Sequence, residues 1–161
     1  GNWAIRFLLA TLAVTPLRNI SGWNWLITYR RALGLLAFTY ALLHALIYAV
    51  LDFSLELDLM ILDIVGAGYV IVGITAFGAM APLAITSTAG WIRRLGGSWT
   101  VLHRLAYLAI AAAVIHYALQ LKQMSFQFLV YAVIGALLLG YRGLTTLVAV
   151  FSRRSQRGRN F

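Results

Sequence analysis

The sequence has no cysteine. Disulfides, iron–sulfur clusters, thiolate-ligated heme and the CxxCH attachment of c-type heme are therefore excluded. It is almost as poor in acid: only four of its 161 residues are Asp or Glu, and charged residues of both signs make up just 11%. Soluble domains carry about a quarter charged residues. A chain this poor in charge cannot cover a water-facing surface, which excludes an ordinary cytosolic enzyme. The opening stretch, GNWAIRFLLATLAVTP, has neither an initiator Met nor the basic n-region of a secretory signal. That beginning predicts a trimmed chain.

What the chain does have is apolar bulk and positive charge: 62% apolar residues, 13 Lys and Arg, and a formal charge of +9. At roughly 20 apolar residues per membrane-spanning helix, this composition allows about five spans. Nucleic-acid binding would need basic residues gathered on a water-facing surface. Here they punctuate apolar runs, so membrane topology explains the charge and no nucleic-acid partner is expected.

Five apolar segments can be read, predicting an all-α integral membrane helical bundle in one domain spanning residues 1–161. Segment A runs from Trp3 to Val14 and is expected to stop at Thr15–Pro16, because proline removes a backbone donor and disfavours helix at the residue before it. About 12 residues at 1.5 Å each cannot cross roughly 30 Å of hydrocarbon. Part of this helix, or a helix before it, is expected to be missing. Segment B runs from Arg31 to Leu51, C from Ile64 to Ile85, D from Trp99 to Leu121 and E from Phe126 to Phe151. Glycines within C and E, among them Gly66, Gly73, Gly78 and Gly135, suit close helix contact in lipid.

Lys and Arg concentrate in short cytoplasmic loops. Arg18, Arg30 and Arg31 flank the A–B connection, Arg93, Arg94 and Arg104 the C–D connection, and Arg153, Arg154, Arg157 and Arg159 lie in a basic tail at about 152–161. All of these fall on one side, predicted to be cytoplasmic. Every acidic residue (Asp52, Glu56, Asp58 and Asp63) falls at the B–C connection on the other side, with Lys122 alone in the D–E turn. Trp23, Trp25, Tyr29, Trp91 and Trp99 mark the basic end, as an interfacial aromatic belt does.

The only histidines, His44, His103 and His116, all lie in apolar segments, where an ionisable side chain is costly and is a functional candidate by default. Counted from the basic end, His44 lies about 20 Å along B, and His116 about 20 Å beyond His103 along D. His44 and His116 thus share a depth near the outer face. Two neutral imidazoles on different helices can supply both axial ligands of a b-type heme. His103, near the inner face, then offers a ligand for a second heme and a stepwise electron path.

On an ideal helix, 13 steps at 100° put His103 and His116 about 140° apart, so helix distortion or hemes on different flanks is required. Two six-coordinate hemes also need four ligands. Arg30 and Arg31, 14 and 13 residues before His44, are read as partners of the inner heme propionates or as a ligand, since guanidinium fits carboxylate in bidentate fashion. Met80 on the inner part of C is another candidate ligand. Arg104 and Arg142 are snorkelling residues or propionate partners. Thr86, Ser87 and Thr88 read as capping and turn residues, and Tyr107 and Tyr117 as packing residues. A single tri-histidine metal ion is disfavoured, because its imidazoles must lie within about 2.1 Å of one ion. A heme-free bundle conducting protons or small solutes is the alternative of a different class.

The segments YRRALGLLAFTYALLHALIYAVLD and PLAITSTAGWIRRLGGSWTVLHRLAYLAIAAAVIHY, with RFLLATLAVTPL before them and the basic tail after, resemble the MsrQ (YedZ) family. These are heme-binding membrane subunits of bacterial protein-methionine-sulfoxide reductase systems, within the ferric-reductase-like transmembrane superfamily. The resemblance implies a six-helix b-type cytochrome of the bacterial inner membrane whose first helix has no counterpart in this chain. It implies electron transfer from a cytoplasmic flavin reductase (with FMN) or the quinol pool (with a quinone) to a periplasmic molybdopterin-containing reductase that repairs oxidised methionines. The family's heme-ligand positions fall on His44, His103 and His116, and its paired arginines on Arg30 and Arg31. The chain departs from the family at GAGYV (Gly66 to Val70), where RPYI is usual, and at Gly97 and Ser98, where cationic residues are common. A ferric or oxygen reductase with another acceptor is the alternative within the superfamily. No nucleophile, base or substrate pocket is legible, so the chain is expected to turn over only with partners.

Overall fold

The computed structural model of the protein describes residues 1–121, 123 and 125–157, the last nine of these as backbone. Lys122 and Arg159 lie outside the described residues, as do the side chains of the other tail arginines. Among the described residues eight α-helices follow in order: α1 Asn2–Ser21, α2 Leu26–Ile47, α3 Leu57–Gly66, α4 Gly68–Ile85, α5 Ala89–Leu95, α6 Gly97–Leu102, α7 Leu105–Gln120 and α8 Phe126–Arg157. A π-helical turn, Tyr48–Asp52, continues α2.

Four stretches among the described residues are long and apolar enough to cross a membrane: Leu26–Asp52, Gly68–Ile85, Gly97–Gln120 and Phe126–Val148. They correspond to segments B to E. Segment A differs from expectation. It does not stop at Thr15–Pro16; α1 continues through a buried Pro16 for 20 residues and ends at Gly22, whose left-handed backbone (φ 75°) closes the helix. Proline is tolerated inside such a helix when neighbouring helices compensate for the lost donor. At about 1.5 Å per residue α1 is as long as a span, though Arg6, Arg18 and Asn19 make it less apolar than the other four.

Three further differences bear on the site. Segment B begins five residues earlier, at Leu26. The B–C connection is largely helical: α3 carries Asp58 and Asp63 and absorbs Ile64, and extended Ala67 (φ −116°, ψ 93°) separates it from α4. Segment D is interrupted, since His103 and Arg104 form a turn between α6 and α7. The 140° offset computed for an unbroken helix therefore does not apply.

The core draws on α1 (Ile5, Leu8, Leu9, Leu12), α2 (Ala37), α4 (Ala79, Met80), α7 (Ala109, Ile110) and α8 (Tyr131). Ala37 and Ala109 are fully buried. Such small residues let helices approach closely in lipid, where dispersion replaces the hydrophobic effect as the driving force. The tightest partnerships, α1 with α2 and α4 with α7, carry the histidines toward one another.

Candidate functional site

α2 and α7 bring His44 and His116 together edge to face, with ring centroids 6.3 Å apart and planes at 64°. An imidazole nitrogen binds a transition metal at about 2 Å with its ring centroid about 1 Å behind, so two rings flanking one metal have centroids roughly 6 Å apart. The observed spacing fits that arrangement.

The orientation of His116 is fixed from behind. Its Nδ1 lies 2.7 Å from the Tyr69 carbonyl oxygen. A carbonyl can only accept, so Nδ1 carries the proton and Nε2 keeps its lone pair. This is the tautomer that metal-binding histidines commonly adopt. One turn further along α4, Gly73 makes room for the ring: a Cβ there would stand 2.8 Å from both Cε1 and Nδ1 of His116. His44 faces the Gly1 backbone, where a Cβ would lie 3.6 Å from His44 Nε2.

Both imidazoles open into a cavity of about 390 Å³ whose walls include Ile5, Phe77 and Met80, with Tyr48 and Asp63 among its polar groups. Tyr48 donates a 2.7 Å hydrogen bond to Asp63 Oδ2, tying α2 to α3. A mostly apolar cavity of this size with two convergent donors matches the general form of a cofactor site. Its lining combines the acidic residues Asp52 and Asp63 with the core residues Ile5 and Met80. A b-type heme, which two neutral imidazoles can ligate between apolar walls, fits this donor set.

His103 occupies the opposite end of the bundle. Its ring stacks on Trp99, one helical turn earlier, with centroids 3.8 Å apart and planes at 28°. Its Nε2 lies 3.2 Å from Thr86 Oγ1. The Thr86 hydroxyl gives its single proton to the Pro82 carbonyl at 2.6 Å, so it accepts from His103, and Nδ1 holds the free lone pair. Trp99 Nε1 donates to the Thr86 carbonyl at 3.0 Å. Thr86 is thus more than a cap, whereas Thr88 does cap α5 by accepting from the Trp91 N–H.

Arg30, near the start of α2, is half-buried, while Arg31 and Arg104 are exposed. Met80 does not join His103; it lines the His44–His116 cavity, because α4 turns it into the core. Among the described residues, no three of His, Cys, Asp and Glu gather as a metal site. The Tyr69 carbonyl and the space at Gly73 were not apparent from side-chain chemistry. The pairing of Trp99 with His103 follows an i, i+4 spacing that was there to be read.

Residues 1–114 match the family model described as "Ferric reductase like transmembrane component". The chain is 45% identical over 144 residues to the protein-methionine-sulfoxide reductase heme-binding subunit MsrQ of Rhizobium meliloti (strain 1021), covering 89% of this chain and 66% of that protein. It is 46% identical over 142 residues to the subunit of the same name from Brucella ovis, covering 88% and 64%, and equally so to that of Brucella suis. The chain therefore spans a little under two thirds of the length of the curated relatives it matches. No solved structure matches it.

Proposed function

The chain belongs to the ferric-reductase-like transmembrane family, and from that premise we propose that it is a b-type heme membrane subunit that carries electrons across the bacterial inner membrane. The observation that carries this reading is the His44–His116 pair, two imidazoles with centroids 6.3 Å apart that line one cavity. When bound there, heme supplies a one-electron iron couple.

The protein's own contribution is positional. His44 and His116 would hold the outer heme through their imidazole nitrogens. The Tyr69 carbonyl holds the His116 proton on Nδ1, and Gly73 leaves the space its ring occupies. The apolar walls exclude water and lower the dielectric, which sharpens every charge interaction inside. His103 is the proposed ligand of a second, inner heme, either through its free Nδ1 or by exchanging its Thr86 hydrogen bond. Arg30 is suited to pair with carboxylates at that end, whereas the exposure of Arg31 and Arg104 speaks for interfacial roles.

The names of the relatives support a methionine-sulfoxide reductase as the acceptor. In this reading the acceptor is a periplasmic molybdopterin protein, the donor is a cytoplasmic flavin reductase with FMN or the quinol pool, and the basic loops and C-terminus face the cytoplasm.

Reduced-minus-oxidised absorption spectra of protein expressed with ample heme test the assignment. A b-type band is expected, and its complete absence overturns the reading. His44→Ala and His116→Ala should remove the same spectral component, and His103→Ala a different one. Loss of one common component from the His103 and His116 variants would refute the two-depth arrangement.

A further inference from the structure

Arg142 of α8 reaches into the basic end of the bundle. Its Nη2 donates to Thr15 Oγ1 of α1 at 3.1 Å, and its guanidinium carbon lies 5.9 Å from the centroid of the Tyr107 ring on α7. Its Nε is buried and has no hydrogen-bond partner among the described residues. Buried donors in native proteins are nearly always satisfied, and an orphan calls for an explanation such as an absent ion or ligand.

The electrostatics point the same way. Arg30, near the start of α2, is also half-buried. No side-chain carboxylate is available to them, because Asp52, Glu56, Asp58 and Asp63 all belong to the opposite end. A half-buried guanidinium whose Nε lacks a partner calls for an anion from outside the chain. The guanidinium fork, with Nε and one Nη side by side, matches the paired oxygens of a carboxylate or phosphate.

We propose that Arg142, assisted by the Thr15 hydroxyl, forms an oxyanion-binding site between α1, α7 and α8 at the basic end of the bundle. Its ligand is a carboxylate or phosphate oxygen pair. Two sources carry that chemistry there: a carboxylate arm of a group bound at His103, which rests on the function proposed above, and the phosphate of an anionic phospholipid, which does not.

The test uses the full chain purified in mild detergent, as wild type, Arg142→Gln and Arg142→Lys. Native mass spectrometry after exchange into phosphatidylglycerol or phosphatidylcholine reads the lipid source, and redox titration of the His103-dependent band reads the carboxylate source. For the lipid source, Arg142→Gln should weaken phosphatidylglycerol retention about tenfold or more. Arg142→Lys, which keeps the charge without the fork, should be intermediate, and phosphatidylcholine should be held equally by all three. For the carboxylate source, Arg142→Gln should shift the potential of the His103-dependent band to more negative values, since a cation that favours the electron is lost. The His44- and His116-dependent band at the far end monitors folding in each variant. If Arg142→Gln fails to fold, the lysine variant takes its place, with a smaller shift in the same direction. Wild-type behaviour of the folded variants in both measurements overturns the site. A wild type without any heme band overturns the electron-transfer reading alone, because lipid retention still reports on Arg142.

Discussion

At Gly73 the structure leaves no space for even one methyl group, with the His116 ring 2.8 Å from where a Cβ would stand. Gly73→Ala must therefore push the imidazole off its seat or tilt α4 away from α7. Overpacking of this kind costs about 1–3 kcal/mol. We expect the variant to melt earlier than wild type and to lose or alter the His116-dependent heme band, while Gly78→Ala, which meets nothing within 4 Å, should leave both unchanged. Melting in detergent and the reduced-minus-oxidised spectrum check this, and an unaltered band with Ala at 73 would show that the seat does not position the ligand. The three histidines were legible as candidates because an imidazole in an apolar run is conspicuous. Gly73 and Tyr69 were not: one acts through a missing side chain and the other through a backbone carbonyl, and neither leaves a mark in residue chemistry.

Between α6 and α7 the chain breaks its helix at His103 and Arg104, and Thr86 holds the break in register by accepting from His103 and receiving Trp99 through its carbonyl. Thr86→Val keeps the side-chain shape but removes the acceptor, leaving the His103 N–H unpaired at a cost of about 1–3 kcal/mol. The expected result is a lower melting temperature together with a changed His103-dependent band and an unchanged His44–His116 band. A variant whose two bands both behave as wild type would mean that Thr86 does not orient His103. Segments B to E were readable because long apolar runs have few alternatives to a spanning helix. The break within D was not, since WTVLHRLAYLAI contains no Gly or Pro to announce it. The persistence of α1 beyond Pro16 was missed for the converse reason. A proline inside a packed membrane helix can be compensated by its neighbours, and a single sequence does not show them.

Across the whole molecule, chemistry is sorted by end. The pair His44–His116 shares its cavity with Asp52 and Asp63, whereas His103 sits with Trp99 and Thr86, next in sequence to Arg104. Charge asymmetry alone indicated this sorting. It could not indicate that α1, with six buried residues, lies at the centre of packing, because residues facing lipid and residues facing the core are equally apolar in a membrane bundle. If the basic end faces the cytoplasm, as positive charge in short loops directs, a fluorescent reporter that folds only in the cytoplasm should be active when fused after Phe161. Alkaline phosphatase, active only outside, should then report when inserted at the Ser54–Leu55 turn, where two consecutive non-glycine residues adopt positive φ (50° and 64°) at exposed positions. The reverse pattern would place the His44–His116 pair on the cytoplasmic side and make an outward electron path through it untenable. Neutralising Arg93 and Arg94 together should weaken the orientation bias and raise the minority signal, since these two lie in a short connection where each charge counts.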